Sequence, residues 1–398
     1  MILSLSFVVM KRILIILLFV STAAFGQKQI RLSDQARISV ITCGPGQEEL
    51  YSAFGHSAFR VYDPSQRIDL AYNYGIFDFD QPHFYLNFAK GFLYYKLGVH
   101  DYRDFEYHYL SHGRYVHEQV LDLTSEQTQK VFEFLEWNAM PENANYRYDY
   151  FFDNCATKMP DVISKVLKEE VTFSPDHITT NYTIRDLTDL YIRKQQPWGD
   201  LGIDICLGLP MDKKATPYEY MFLPDYVEAG FAHATIKHDS IVVPLVKATI
   251  KAGNETSESQ AFFIRPVDCF TAFALIAAAL SFYDFRKQKA TKWFDMIWLI
   301  VTGLIGILLT FLWFFTDHAA AAKNFNLLWA IPLNLVAGIA LWKNPKWLKQ
   351  YFLVLMIVEI ATLLGYKFIP QELHFALIPL MIAFALRSFV LYRLRPQP

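Results

Sequence analysis

Two residues of this sequence, Cys155 and His56, have side chains that can act together as a nucleophile and a base. Cys155 follows an alternating aromatic run, residues 146–152, and precedes an amphipathic run, so we expect it at a junction between a strand and a helix. The unpaired N–H groups and the dipole at a helix start favour negative charge, which lowers the pKa of a thiol placed there. The sequence therefore predicts a cysteine that loses its proton readily and can act as a nucleophile.

A cysteine nucleophile needs an imidazole to take its proton, and that imidazole needs a third polar group to orient it. His56 follows Gly55, which allows close approach, and it opens the alternating segment 56–62. A second alternating segment, 68–74, comes after turn residues 63–65, so the two are expected to pair as an antiparallel hairpin. His56 would thus begin a strand, which is a rigid position for a catalytic group.

Asn73 is the expected orienting residue, because it lies towards the end of the second strand of this hairpin and can come close to His56. Asp69 and Asp78 compete for the same role. Taken alone, each member of the pair also has an ordinary interpretation: an inert buried cysteine and a histidine with structural hydrogen bonds.

The other expected elements make residues 27–263 an α+β domain. Strands are expected at 37–42, 92–99 and 115–123, a helix from Thr124, and a strand over 146–152 that leads to Cys155. Pro160 falls near the start of the next helix, where we expect a tight or irregular first turn. The buried face of that helix is predicted by the apolar stripe Val162, Ile163, Val166 and Leu167.

The composition places part of the chain in lipid, since 53 % of its residues are hydrophobic and the mean hydropathy is +0.17. From about Val267 the sequence consists of apolar runs long enough to cross a bilayer. Residues 264–398 are therefore expected to form an all-α membrane domain with five transmembrane helices, at 267–285, 293–315, 325–342, 351–368 and 375–392.

Basic residues predict the orientation of these helices. Lys and Arg cluster in the first and third loops and in the tail, which five spans place on one side, and the positive-inside rule makes that side the cytoplasm. Lys11 and Arg12 precede a short apolar run, the layout of a secretory signal over residues 1–26, with a retained N-terminal membrane helix as the alternative. We therefore expect a multi-pass inner-membrane protein with domain 27–263 in the periplasm and the C-terminus in the cytoplasm.

Two short polar loops, 316–324 and 369–374, remain on the outer side of the expected membrane domain. The sequence leaves open whether they are solvated, contact lipid head groups or form a floor for the active site. Charges within a span are costly, so we expect the following three to lie at the interface or inside the helix bundle: Asp295, Glu359 and Arg387.

Charge and cysteine spacing disfavour other classes of function. Lys plus Arg number 37 against 39 Asp plus Glu, a net charge of −2, which gives no basic field for nucleic acid. Cys43 and Cys206 can either pair in an oxidising compartment or be small buried residues. His108 and His112 are four residues apart, but no nearby Cys or HExxH pattern supports a metal site. We expect no metal, no cofactor and no nucleic-acid partner.

Three segments, GHSAFRVYD, NYGIFDFD and YDYFFDNCATK, precede five expected spans with a TDH…KNFN outer loop. Together they resemble the Bacteroidota lipoprotein N-acyltransferase family called Lnb. The resemblance implies a circularly permuted papain-like fold for the exported domain. It also implies transfer of a fatty acyl chain from a membrane phospholipid to the α-amino group of a diacylglyceryl-cysteine lipoprotein. Cys155 and His56 match the family's thiol and imidazole, and Asn73 is assigned on its strand position.

In this interpretation the Cys155 thiolate attacks a phospholipid ester, and His56 then helps the acceptor amine take the acyl group from a thioester. The backbone N–H of Cys155 is expected to hold the oxyanion, an effect of about 3 kcal/mol where it has been removed from enzymes. Two other functions stay open: a membrane-bound cysteine hydrolase of the cell envelope (peptidase, amidase or lipase), and a non-enzymatic membrane assembly factor. The side chains expected to bind substrate or the oxyanion are Tyr51, Ser57, Asn154 and His318.

Overall fold

The computed structural model describes residues 30–46, 49–77, 80–254 and 264–394. The expected signal segment, residues 1–26, and Asp78 lie outside the described residues. Strands and helices alternate as far as residue 252, and only helices follow from residue 266. The chain therefore has an N-terminal part of mixed strands and helices, here named the α/β part, and a C-terminal helical part, as the sequence predicts. The antiparallel strand pairs of the α/β part agree with the predicted α+β class.

The strands of the α/β part form two antiparallel sheets. They are β1 (Arg37–Cys43), β2 (His56–Asp63), β3 (Ile68–Ile76), β4 (Tyr94–Asp101), β5 (Val116–Leu121), β6 (Asn145–Arg147), β7 (Val171–Thr172), β8 (Thr235–His238), β9 (Ile241–Pro244) and β10 (Val246–Ala252). The large sheet has the order β10-β5-β1-β2-β3-β4-β6, and the small sheet has the order β7-β8-β9. β2 and β3, the strands of the expected hairpin, lie near the middle of the large sheet.

The predicted hairpin is confirmed, with Phe59 of β2 opposite Tyr72 of β3. Asp63 stabilises its turn, because Oδ1 accepts hydrogen bonds from the N–H groups of Ser65 and Gln66 at 3.0 and 3.3 Å. The strands expected at 37–42, 92–99 and 115–123 are confirmed as β1, β4 and β5.

The helices of the α/β part are α1 (Phe84–Lys90), α2 (Tyr102–Ser111), α3 (Ser125–Ala139), α4 (Lys158–Leu167), α5 (Ile184–Ile192), α6 (Pro197–Cys206), α7 (Pro217–Tyr220) and α8 (Pro224–Ala232). Short 3-10 helices lie at Leu50–Phe54, Lys168–Glu170, Pro175–His177 and Leu209–Asp212. The capping box predicted for α3 is present. The side chain of Thr124 accepts a hydrogen bond from Gln127 N–H at 3.2 Å, and Gln127 Oε1 accepts one from Thr124 N–H at 2.9 Å.

Helix α4 packs its predicted apolar stripe into the main core. Val162, Ile163 and Leu167 are buried, in the same cluster as Phe59 and Tyr72 of the large sheet. Burial of each such aliphatic side chain contributes about 1.5–3 kcal/mol. The stripe thus fixes the segment that carries Cys155 against the strands that carry the other candidate residues.

The strand predicted over 146–152 is wrong beyond its first two residues, because β6 ends there. Asp149 turns the chain, since its Oδ1 accepts hydrogen bonds from the N–H groups of Phe151 and Phe152 at 2.9 and 3.0 Å. The Asp149 carboxylate here binds backbone N–H groups that would otherwise pair with a neighbouring strand. The alternation of aromatic residues therefore belongs to a compact loop and not to a long strand.

The helical part contains α9 (Pro266–Lys287), α10 (Lys292–Phe314), α11 (Leu333–Ala340), α12 (Leu348–Leu364) and α13 (Leu377–Arg393), with 3-10 helices at Ala319–Ala321, Phe325–Leu328 and Tyr366–Phe368. In the described residues, α9 and α10 are the two helices that are long and apolar enough to cross a membrane, judged by length and composition alone. Helices α12 and α13 have 17 residues each, or about 26 Å against a hydrocarbon core of about 30 Å. Five spans stay a prediction.

The continuous helix predicted over 325–342 is wrong. The chain forms the 3-10 helix Phe325–Leu328 and resumes helical structure only at α11. Pro332 immediately precedes α11, and a proline has no N–H with which to continue a helix from the preceding turn. Asn326 also connects this segment to the α/β part, because its Nδ2 donates a hydrogen bond to the carbonyl oxygen of Asp204 at 3.2 Å.

A buried ion triad joins three helices of the helical part. Arg387 of α13 donates to Asp284 of α9 and to Asp295 of α10, each at 2.8 Å, and the three side chains have no exposed area. Glu359 of α12 is also buried, and its Oε2 accepts a hydrogen bond from Ser388 at 3.2 Å. The three charges expected at the interface or inside the bundle therefore lie inside it. Arg387 is paired there with two aspartates, and Glu359 accepts a hydrogen bond from a serine.

Candidate functional site

His56 and Asn73 meet on one face of the β2–β3 hairpin. Because Phe59 faces Tyr72, continuing the register places Asn73 diagonal to His56 with both side chains on the same side. His56 Nε2 lies 2.6 Å from Asn73 Oδ1. An amide oxygen only accepts hydrogen bonds, so Nε2 carries the proton and Nδ1 is left to exchange a proton with another group.

The His56 ring is held by its surroundings. Tyr109 of α2 stacks nearly parallel to it, with ring centroids 6.0 Å apart and an angle of 11° between planes. Phe105 of the same helix lies at 6.4 Å. Gly55 enters the strand with φ of +81°, and a Cβ atom there would lie 2.8 Å from the carbonyl oxygen of Cys43. Only glycine fits this approach to β1, so the backbone before His56 has one path.

Cys155 lies in a tight turn that precedes α4, three residues before the helix begins. Asn154 builds this turn, because its Oδ1 accepts hydrogen bonds from the N–H groups of Ala156 and Thr157 at 2.8 and 2.9 Å. Its Nδ2 donates to the carbonyl oxygens of Tyr150 and Phe222 at 2.9 and 2.8 Å. The expectation of a strand leading directly into a helix at Cys155 is therefore corrected to an amide-built turn.

Pro160 is the third residue of α4, in its first turn. A proline is tolerated there because the N–H groups of the first turn have no partner within the helix. The turn before it is closed by a bond from Met159 N–H to the carbonyl oxygen of Ala156 at 3.0 Å, which skips three residues rather than four. The expected tight first turn is confirmed.

The structure brings Cys155 into hydrogen-bond contact with His56. Burial, the largest effect, raises the pKa of the Cys155 thiol, but the charge of His56, its hydrogen bond and the N–H groups of Ser57 and Ala156 outweigh burial, so the pKa is lowered. For His56, burial lowers the pKa, while the charge of Cys155 and hydrogen bonds with Cys155 and Asn73 raise it above its ordinary value. Both shifts stabilise the same pair of charges, a thiolate and an imidazolium.

As residues, Cys155 and His56 are each half-buried. The other candidates for the orienting role are placed elsewhere or not described. Asp69 forms two hydrogen bonds with Arg60, at 2.8 and 2.9 Å, and Asp78 lies outside the described residues.

The four side chains expected to bind substrate or the oxyanion lie in different places. Ser57 offers its backbone N–H to the Cys155 sulfur, and within the described residues its buried Oγ has no hydrogen-bond partner. The Asn154 amide forms hydrogen bonds within its own turn and with the carbonyl oxygen of Phe222. Tyr51 is 63 % exposed and lies edge-on to Phe77, at 6.3 Å between ring centroids. His318 lies in the helical part and bonds through Nε2 to the carbonyl oxygen of Phe88 at 3.0 Å.

Tyr146 is a neighbour of Cys155 that the sequence reasoning missed. A Cβ atom built on Gly75 would lie 3.7 Å from Cys155 Cβ and 3.9 Å from the Tyr146 hydroxyl oxygen. That hydroxyl is buried, and no described residue forms a hydrogen bond with it. Gly75 has φ of +91°, a conformation that favours glycine. The available signal is the aromatic run 146–152, whose alternation predicts only a strand.

The two outer loops of the helical part dock onto the α/β part. In the first loop, Asp317 accepts a hydrogen bond from Arg147 at 2.8 Å, and its N–H donates to the carbonyl oxygen of Lys90 at 2.8 Å. In the second, His374 Nε2 lies 3.0 Å from Asp200 Oδ2, and both side chains are buried. Both loops therefore contact the α/β part, while solvation, lipid head-group contact and a floor for the active site stay predictions for them.

The part of the chain that the structure describes contains no candidate metal site and no disulfide. Within the described ranges, no group of three or more His, Cys, Asp or Glu is arranged to hold a metal ion. His112 bonds through Nδ1 to the carbonyl oxygen of His108 at 2.6 Å, a contact within one helix end. Cys43 and Cys206 are both free thiols, so of the two alternatives for them the unpaired one is observed.

The lowered pKa predicts how Cys155 reacts as pH changes. The Cys155 thiolate persists below the ordinary thiol pKa of about 8.5, whereas burial raises the pKa of Cys206. Iodoacetamide should therefore still alkylate Cys155 at pH values where the Cys206 thiol is protonated and unreactive. His56→Ala should move the Cys155 profile to higher pH. Peptide mass spectrometry after timed alkylation measures both cysteines in one sample. Identical pH profiles for the two thiols would contradict the assignment.

Comparison with known protein families gives two matches. The model of the Lnb N-terminal periplasmic domain matches residues 22–189, and that of the Lnb transmembrane domain matches residues 257–397. Comparisons with curated proteins and with solved structures found no match. The two family models follow each other in the order of the two structural parts and cover most of the sequence. The chain therefore belongs to the Lnb family, and it is a membrane protein with a periplasmic N-terminal domain.

Proposed function

We propose that this protein is a lipoprotein N-acyltransferase that uses Cys155 as its nucleophile. It takes a fatty acyl chain from a membrane phospholipid and transfers it to the α-amino group of a diacylglyceryl-cysteine lipoprotein. Membership of the Lnb family supports a role in lipoprotein maturation. The observation that carries the chemistry is the hydrogen-bonded line of Cys155, His56 and Asn73, held by a domain that is docked on membrane helices.

In the first half of the reaction, the thiolate attacks the carbonyl carbon of a phospholipid ester. The S–C bond forms, the ester C–O bond breaks, and His56 gives its proton to the leaving alkoxide as a lysophospholipid departs. Asn73 orients the ring, because its bond to Nε2 directs Nδ1 to the sulfur side. The raised pKa of His56 favours the protonated ring that this step consumes.

In the second half, the amine of the lipoprotein attacks the thioester. The N–C bond forms, the S–C bond breaks, and the proton lost by nitrogen goes to His56, which restores the starting pair. A thioester is reactive enough to give an amide, so no further energy source is needed. Over the two halves, His56 gives up one proton and takes one back.

The oxyanion of each tetrahedral intermediate needs donors beside the sulfur. The N–H group of Ser57 already forms a hydrogen bond with Cys155, whereas that of Ala156 also donates to Asn154 Oδ1. The Tyr146 hydroxyl is a buried donor close to the same cysteine. Donors that are held in place before the reaction cost no reorganisation when charge develops. We assign Tyr146 this role. The Asn154 amide, which builds the turn, positions Cys155 instead.

Other features of the chain support an acyltransferase acting at the outer face of the inner membrane. The basic loops favour a cytoplasmic C-terminus. The strand that begins with His56 comes before the turn and helix that follow Cys155, an order that agrees with a permuted papain-like domain. Both substrates are lipids, so a site fixed to several membrane helices reaches them without leaving the bilayer. A cysteine hydrolase of the envelope is the second candidate, since the same pair of Cys155 and His56 can also pass an acyl group to water.

Replacement of the nucleophile tests the proposal in cells. Cys155→Ser should abolish N-acylation of lipoproteins, because a serine hydroxyl is not ionised by His56 as a thiol is. Mass spectrometry of lipoprotein N-terminal peptides should find only the diacyl form in this variant and the triacyl form with Cys206→Ser, the matched control. Unchanged triacylation in the Cys155→Ser cells would refute the acyltransferase. Release of free fatty acid or cell-wall peptide by the purified protein, with no transfer to an amine, would favour the hydrolase.

Removal of one hydroxyl tests the role of Tyr146. Tyr146→Phe should lower the rate of acyl transfer by about tenfold to a hundredfold, as the loss of an oxyanion donor does. The alkylation rate of Cys155 should stay unchanged, because the thiolate is stabilised by His56 and by backbone N–H groups. Tyr107→Phe is the control, since Tyr107 is 73 % exposed and lies on α2. Equal rates for the two variants would remove Tyr146 from the reaction.

A further inference from the structure

Helix α1 is an unusual element of the α/β part, because none of its seven residues is buried. Its apolar side chains are strongly exposed: Tyr85 by 76 %, Leu86 by 53 % and Phe88 by 42 %. Isolated helices this short are unstable in water, and a soluble surface rarely exposes a large apolar group on one turn. The helix therefore needs a covering that the described residues do not provide.

The position of α1 relative to the membrane helices is fixed by backbone contacts. Its last carbonyl oxygen, on Lys90, accepts a hydrogen bond from Asp317 N–H at 2.8 Å, and that of Phe88 is bonded to His318 at 3.0 Å. A Cβ atom on Gly91 would lie 3.0 Å from the backbone of Asp317, so the two chains touch. Asp317 comes three residues after the end of α10. Helix α1 thus lies at the level where a membrane-spanning helix leaves the bilayer.

The same end of α10 is itself apolar on its outer surface. Phe314 and Phe315 are 62 % and 70 % exposed, as expected of side chains that face lipid. The exposed side chains of α1 extend this surface from the helical part onto the α/β part. Aromatic residues are typical of the boundary between hydrocarbon and head groups, where one end of the side chain is apolar and the other is wet.

A line of aromatic rings runs from α1 to the reactive cysteine. Phe84 of α1 stacks on Phe77 at 6.4 Å, and Phe77 lies 5.2 Å from Tyr95. Tyr95 lies 4.4 Å from Tyr148. A Cβ atom on Gly75 would be 3.4 Å from the Tyr148 ring and 3.7 Å from Cys155 Cβ. These ring contacts connect the exposed helix to the atoms beside the nucleophile, and they pass through Tyr95, which is buried.

We propose that α1 is an interfacial helix that lies in the outer leaflet of the bilayer and guides a phospholipid acyl chain along these rings to Cys155. The occupant of its exposed face is the hydrocarbon of a bilayer phospholipid, because that face continues the lipid-facing surface of α10. The contact with lipid stands on the geometry alone, while delivery to Cys155 rests on the proposed acyltransferase function.

Photo-crosslinking tests the contact without any catalysis. The full-length protein carrying Cys155→Ser and Tyr85→p-benzoylphenylalanine is placed in nanodiscs of phosphatidylethanolamine and phosphatidylglycerol and irradiated. Intact mass spectrometry should find the added mass of one phospholipid. Tyr107→p-benzoylphenylalanine is the control, since Tyr107 is 73 % exposed but lies on α2, which packs against the large sheet. Equal lipid labelling at both positions, no adduct at position 85, or a protein–protein adduct there instead would each overturn the proposal.

A charge on α1 tests the delivery. Leu86→Glu in the otherwise natural chain should slow acyl transfer from vesicles of the same lipids by about tenfold, because a carboxylate is expelled from the interface. Acylation of Cys155 by a short water-soluble ester should keep its rate. If the crosslink forms but Leu86→Glu transfers at the normal rate, delivery by α1 is refuted. If the natural chain transfers no acyl group while the crosslink forms, the acyltransferase function fails and the lipid contact remains.

Discussion

The hydrogen bond between His56 Nε2 and Asn73 Oδ1 sets the direction of the imidazole, and much of the α/β part is arranged so that this ring meets Cys155. Two glycines make the approach possible, since Gly55 brings the histidine strand against β1 and Gly75 leaves room beside the cysteine. On the other side, the Asn154 amide ties the turn that carries Cys155 to its own backbone. The nucleophile and its base come from distant parts of the sequence, so each needs its own rigid support.

A second constraint is the level of the site relative to the membrane. In the proposed reaction, the thiolate must be held where lipid can reach it and water is limited. The outer loops meet this need through backbone contacts, among them the bond from Gly208 N–H to the carbonyl oxygen of Ala320 at 2.7 Å. A Cβ atom on Gly208 would lie only 1.9 Å from the carbonyl oxygen of Ala322, so the two parts are in contact at the main chain. Such contacts leave little freedom for one part to move against the other.

The sequence predicted the hairpin of β2 and β3 correctly because alternation and turn chemistry agree there, and from it the diagonal pair His56 and Asn73 followed. The errors have local causes that a pattern hides. Alternating aromatics over 146–152 look like a strand, but the Asp149 carboxylate competes for the backbone. An apolar run over 325–342 looks like one span, but Pro332 interrupts it. Tyr146 was missed since its importance depends on a neighbour across the loop, and the contact between Cys155 and His56 likewise depends on long-range packing. The permuted papain-like fold stays a prediction.

If Cys155 carries the acyl group, the intact mass of the purified protein after incubation with phospholipid vesicles shows it most directly. We expect an increase equal to one fatty acyl group, located on the peptide that contains Cys155. This adduct should be removed by neutral hydroxylamine and lost when a diacylated lipopeptide with a free amine is added. His56→Ala should show little of it. An acyl group on another residue, or triacylated product formed at the normal rate by a protein that lacks the Cys155 thiol, would refute Cys155 as the acyl carrier.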